Sequence, residues 1–344
     1  MTNTASFERI NYLTRPNKSI ERKIIFESLI KLEPLMSFAG YRYIGLGSMW
    51  FGDFLFAHRL LGIEKMWSIE YEENSERAEF NRPYRSIEIK AGKSGDILQT
   101  VTPEQWNIPS VVWLDFTSVL NADVVSDLRR LCVNLRVGSF LLISVNAVRA
   151  SYRVNDTSSL DAPRKIPSYK TIESLLGSAC LSNQFRKILG ASGQPEEVPE
   201  GEFPAFLADA LLSFISHSIV ASGRTDGETA VRFLPMFNFS HRDGADMVTI
   251  GGVLSSPDKA NELKNTIGGL CDWDSDASRP RHTRFDLVEL TLKEKTTLDR
   301  FLPAASAPDF IQVSRDAGVR LADEQIAKYR ECYRHFPIFI ESLI

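Results

Sequence analysis

Apolar and polar positions along the chain follow two alternating periods. "YRYIGLG", "KMWSIEY", "SIEIKAG", "SVVWLDF" and "SFLLISVNAV" are short apolar runs bounded by turn residues, and they predict strands. Helical patterns lie between them. "FGDFLFAHRLLG" reads as a helix closed by Gly62, and "ENSERAEFN" as a short helix stopped before Pro83. "NADVVSDLRRLCVNLRVG" reads as a helix capped by Asn121 and stopped at Gly138. Strands that alternate with helices need right-handed crossovers, which give a parallel sheet covered on both faces.

The flanks read differently. "SIERKIIFESLIKLEPLM" places Ile20, Ile24, Ile25, Leu29, Ile30 and Leu32 near one helical face, with Pro16 just upstream. Ser19 can cap this helix, and Arg22 and Lys23 are expected to face solvent. After residue 150 a polar stretch, "YRVNDTSSLDAPRKIPS", leads into two helical segments, "YKTIESLLGSACL" and "PAFLADALLSFISHSIVASG". Two β-rich runs then flank "SHRDGAD", whose Asp-Gly signals a hairpin. The last segments, "FDLVELTLKEKTTLDRFLP" and "LADEQIAKYRECYRHFPIFIESLI", read as helices, with a capping box at Thr291 and Glu294. The expected fold is α/β: a seven-stranded, mostly parallel, doubly wound sheet ending in an antiparallel hairpin. Residues 1–40 form an N-terminal helical extension. Residues 41–256 form the sheet domain, with a helical insert at about 151–225, and residues 257–344 form a C-terminal helical region.

Composition narrows the classes. The 344 residues are 43% hydrophobic, enough for a full core. A net charge of −4 argues against a broadly basic surface, so nucleic acid is not indicated, although local basic patches stay open. Cys132, Cys180, Cys271 and Cys332 lie far apart without a CxxC pair, as reduced thiols do, and no metal site is expected. The start has no apolar signal core, and no apolar run approaches membrane-spanning length. A cytoplasmic protein without membrane contact is expected.

In a doubly wound sheet, ligands bind at the carboxyl ends of the strands. Gly45, Gly47 and Ser48 follow the first strand, and Glu70 ends the second. Asp96, in "SGD", follows the third strand, Asp115 ends the fourth and Asn146 the fifth. For an adenosyl ligand each has a task. Glycines let the backbone approach closely. Glu70 can accept both ribose hydroxyls, Asp96 can accept the adenine amino group, and the Ile97 amide can donate to the ring. Asp115 can serve as a base toward the acceptor or orient the far end of the ligand.

The "IGLGS" loop, the Glu70 acid, the "SGDI" turn, the "LDF" strand end and the late hairpin together resemble the class I S-adenosylmethionine-dependent methyltransferases over about residues 40–255. "RPNKSIERK", "YIGLGSMWFGDF" and "FNRPY" look most similar to bacterial proteins labelled O-methyltransferases, for which no substrate is established. The resemblance implies S-adenosylmethionine as cofactor, held by Gly45, Gly47, Ser48, Glu70, Asp96, Ile97 and Asp115, and methyl transfer to an oxygen or nitrogen of an unidentified acceptor. The sequence also departs from the class. Tyr43 stands where the glycine loop usually has an acid, Met49 and Trp50 replace the usual third glycine, and no "NPPY" follows the fourth strand. A different reading keeps the fold as a non-catalytic interaction subunit that docks through the terminal helices. A dehydrogenase is disfavoured by the terminal hairpin.

Other residues carry two readings each. Asp53 either lines the pocket or sits in a first helical turn, where negative charge is favourable. His58 is expected to pack within a helix and His241 to be exposed at the hairpin tip. Trp50 and Phe51 can stack on a base or wall the sheet. Tyr329, Tyr333, Phe336 and Phe339 form an aromatic face for core packing or partner docking. The basic residues of "RPNKSIERK" read as a solvated face, or as a phosphate or RNA contact.

Overall fold

The computed structural model describes residues 15–156, 164–181, 197–268 and 279–337; Cys271 and Phe339 lie outside them. The five sequence-predicted strands form as β1 (Arg42–Leu46), β2 (Lys65–Glu70), β3 (Ile87–Ala91), β4 (Ser110–Val119) and β5 (Phe140–Asn146). The hairpin follows as β6 (Arg232–Arg242) and β7 (Asp246–Ser255), turning at Asp243 and Gly244. An eighth strand, β8 (Thr283–Phe285), pairs in parallel with β6. It ends at Phe285, the first residue of the segment that the sequence reads as a helix; that helix begins only at Leu292, capped by the Thr291–Glu294 box. Three residues are too few to display a strand period, so β8 exists only through its pairing with β6.

The strands lie in the order β8-β6-β7-β5-β4-β1-β2-β3, and β7 alone runs antiparallel to its neighbours. From β1 the chain moves outward to β2 and β3, then returns to the other side of β1 as β4. This reversal opens a crevice at the carboxyl ends of β1 and β4, the site such sheets offer a ligand.

Helices cover both faces. Between β2 and β3 runs the short α3 (Glu72–Asn81). One face packs on α4 (Ser94–Gln99), α5 (Ala122–Asn134) and the long α6 (Phe203–Ala221), through Leu128, Leu131, Phe206 and Leu211. Asn121 caps α5 by accepting from the Val124 amide, as the sequence predicts. The apolar segment 200–221 has the length and composition to cross a membrane, contrary to the sequence reading, yet two thirds of it is buried against the sheet as a core helix. The other face packs on α1 (Pro16–Leu32), α2 (Gly52–Leu61) and the C-terminal helices, through Ile25, Leu29, Phe54, Phe310 and Tyr329. Gly62 closes α2 in the left-handed conformation, its amide donating to the Ala57 and His58 carbonyls.

The first helix departs most from expectation. It starts at Pro16, so Ser19 lies inside it, buried, and is not its cap. The cap comes from the hairpin. Asp243 Oδ2 accepts from the Lys18 amide at 2.8 Å, and Asp243 Oδ1 accepts from Asn17 Nδ2 at 3.0 Å. Arg22 is buried rather than solvated, and Lys23 donates to the His335 and Phe336 carbonyls. Ile30, expected on the apolar face, is the exposed member of that set. Asp243→Ala removes a charged cap from a helix that anchors one face of the sheet. Equilibrium urea unfolding is expected to show a loss of about 1–2 kcal/mol; a loss under a few tenths would mean that water replaces the cap.

Candidate functional site

A cleft of about 150 Å³ opens at the switch between β1 and β4. Its floor comes from the ends of β1 and β2. Leu46 pairs with Ile69, and the Gly47 amide donates to the Ile69 carbonyl at 3.1 Å, carrying the loop directly over β2. A Cβ built on Gly47 would lie 2.2 Å from Ser68 Oγ and 2.3 Å from Glu70 Oε1. Only glycine leaves room for both polar groups beneath the loop. Among the described residues neither Ser68 Oγ nor Glu70 Oε1 has a hydrogen-bond partner, and both atoms are buried. Burial pushes the Glu70 carboxyl up to about 8. A buried carboxyl without a donor is costly, and natural sites retain one where a ligand supplies the missing bond.

The loop that follows is held by its aromatics. Phe51 has φ 48°, the left-handed region, where glycine is usual. Its buried ring packs edge-on against Phe54, with centroids 5.5 Å apart, which holds the backbone there. Trp50 is 40% exposed and lines the cleft, while Phe51 is a wall residue behind it.

The far wall comes from α1 and the end of β4. Lys18, 2% exposed, donates from Nζ to Asp115 Oδ1 at 3.1 Å, to Glu21 Oε1 at 3.0 Å and to Ser144 Oγ at 3.3 Å. Glu21 Oε2 lies 2.9 Å from His241 Nδ1, and Glu21 Oε1 accepts from Thr249 Oγ1 at 2.8 Å. His241 is therefore buried in a polar network instead of exposed at a hairpin tip. Burial opposes the Lys18 charge, but Asp115 and Glu21 outweigh it and raise the ammonium above its ordinary value. Burial would likewise raise Glu21, yet Lys18 and His241 hold it well below the usual carboxylate range. One turn along α1, Arg22 pairs with Asp53, which lies in the first turn of α2 and also lines the cleft. Both readings of Asp53 therefore hold.

The structure brings together Gly47, Ser48, Glu70 and Asp115 around the cleft, but not the other three candidates. Gly45 sits within β1, where a Cβ would press on the Tyr43 ring at 2.9 Å, so its smallness serves packing. Asp96 is exposed in the first turn of α4, outside the lining. The Ile97 amide is used inside that turn, donating to the Lys93 carbonyl at 3.1 Å. The third strand instead contributes Gly92, Lys93 and Ser94, with Tyr71 and Asn74 beside them. Asn146 closes a turn through the Val148 amide. Sequence reasoning missed Lys18 and Arg22. Their signal was present: positions 18, 22, 25 and 29 lie on one helical stripe, which continues into Ile25 and Leu29.

The family model described as "Putative O-methyltransferase" matches residues 10–344. The chain belongs to this family. No curated protein sequence matches this methyltransferase-family chain. Among solved structures, a probable spermidine synthase from Corynebacterium glutamicum ATCC 13032 is 12% identical, covering 38% of this chain and 49% of its own, with TM-score 0.31. Human N-acetylserotonin methyltransferase in complex with SAM is also 12% identical, with 67% and 52% covered and TM-score 0.31. Trm1 from Pyrococcus horikoshii with S-adenosyl-L-methionine is 12% identical, with 96% and 79% covered and TM-score 0.41. The chain spans about half the length of the first two of these.

Proposed function

We propose that the protein binds S-adenosylmethionine in the cleft and transfers its methyl group to an oxygen or nitrogen of an acceptor whose identity stays open. The observation that carries this reading is the pair of unpartnered buried groups, Ser68 Oγ and Glu70 Oε1, beneath a glycine that cannot bear a Cβ. Ribose hydroxyls are donors of the kind that Glu70 lacks. Gly47 and Ser48 let the ligand lie close to the backbone, and Tyr71, Gly92, Lys93 and Ser94 border the place left for the base. The sulfonium supplies the reactive methyl group when the cofactor is bound. This chain's residues align the two reactants and exclude water, and good alignment alone lowers such a barrier by roughly 7–11 kcal/mol.

Asp115 is tied to Lys18, so its role is to orient and balance charge rather than to take a proton from the acceptor. The test is calorimetry with S-adenosylmethionine or its demethylated product. Glu70→Ala is expected to weaken binding by about ten- to a hundred-fold, the equivalent of losing a hydrogen bond to a charged group. Absence of binding at millimolar ligand would overturn the reading and leave the interaction-subunit alternative.

A further inference from the structure

We propose that the first helix, not the glycine loop, seats the amino-acid head of the cofactor: the Arg22 guanidinium takes its carboxylate, and Asp53 and Asp115 flank its ammonium. This rests on the cofactor reading above and says which end of the cleft holds which part of the ligand.

The usual loop acid is missing. Tyr43 occupies its place, fully buried, with its ring edge-on to Phe54 at 4.9 Å between centroids, and presents no charge to the cleft. Charge enters the cleft from elsewhere. Arg22, Asp53 and Asp115 all line it, at 4%, 13% and 19% side-chain exposure. Glu70 and Gly92 line the same cleft from the ends of β2 and β3. A ligand whose ribose lies on Glu70 therefore extends toward α1.

The wall suits a zwitterion. Each of the two half-buried carboxylates of this wall already has a cation, Arg22 for Asp53 and Lys18 for Asp115. A head group with one positive and one negative end can insert between these pairs without leaving any charge uncompensated. A ligand with a net charge at that end would leave one, at a large cost in a buried site. The planar guanidinium also matches a carboxylate in two-point geometry, which an ammonium cannot do.

The test compares two probes by calorimetry. S-adenosylhomocysteine carries the head and 5′-methylthioadenosine lacks it. Wild type is expected to bind the first on the order of 30-fold more tightly, the size of one charge-assisted contact. Arg22→Met should bring the two affinities to within about threefold of each other while changing methylthioadenosine binding little, which also shows that the variant is folded. Arg22→Lys keeps the charge for Asp53 without the fork, so it covers the case in which the methionine variant does not fold. It should lose affinity for S-adenosylhomocysteine alone. Equal affinities in wild type, or an undiminished preference in both variants, would overturn the proposal. Failure of wild type to bind either probe would instead overturn the cofactor reading, and this inference with it.

Discussion

Lys18→Met is expected to destabilise the protein by about 3–5 kcal/mol, the range for removing one member of a buried ion pair. The ammonium touches Asp115, Glu21 and Ser144, and lies 4.8 Å from the centre of the Trp113 ring. Methionine fills much of the volume but leaves Glu21 with His241 and Thr249 alone. Urea unfolding at neutral pH measures the loss, and a value under about 1 kcal/mol would mean that the network carries little net stability. The acid limb gives a second reading. Glu21 is held low, so its contribution is present above its ordinary value of 4.5 and is lost as pH falls below that. Removing Lys18 should flatten this limb, because Lys18 is the foremost group holding Glu21 down.

Glu70→Gln is expected to do the opposite to the ligand-free protein and stabilise it in mild alkali. Burial raises this carboxyl from 4.5 to about 8, so between those values the folded state holds a proton that the unfolded chain has released. Stability from this group is complete below pH 4.5, declines as pH rises and levels off above about 8. The slope approaches 1.4 kcal/mol per pH unit, and the full loss is on the order of 5 kcal/mol. Glutamine has nearly the same shape and no charge, so the decline should vanish and the variant should exceed wild type at pH 8. Unfolding measured from pH 5 to 8.5 tests this; parallel curves for the two proteins would show that Glu70 titrates normally. The same variant should bind the cofactor less tightly. In wild type, ribose hydroxyls favour the carboxylate, so cofactor binding should release a proton below pH 8 and strengthen toward it. Calorimetry in buffers of different ionisation enthalpy reads that proton, and Glu70→Gln should abolish it.

These opposed effects explain why the site was only partly legible. Glu70 could be picked out because a carboxylate at the end of an apolar strand conflicts with its surroundings, and such conflicts mark function. Its relation to Gly47 followed from strand order, since a parallel β1–β2 pair brings both to one rim. Asp96 and Ile97 looked equally suitable, but "SGDILQ" winds into a helix that uses the Ile97 amide and turns Asp96 to solvent. A three-residue motif does not reveal whether its amides are already taken.

The sequence by itself determined the parallel sheet, the late hairpin, the caps at Asn121 and Thr291, and the acid at the end of the second strand. Each depends on residues close in the chain, where period and local hydrogen bonding decide conformation. Tertiary structure alone decided the fate of the charged residues near the N-terminus. "NKSIER" has the composition of a solvated helix face, and nothing local opposes that reading. Asp53, Asp115, Asp243 and His241 lie far along the chain from it, and folding brings them within hydrogen-bond reach of that one helix. A charge is buried only where distant partners compensate it, so the positions of those partners, not the residue types, put Arg22 in the cleft lining and Lys18 behind it against Asp115.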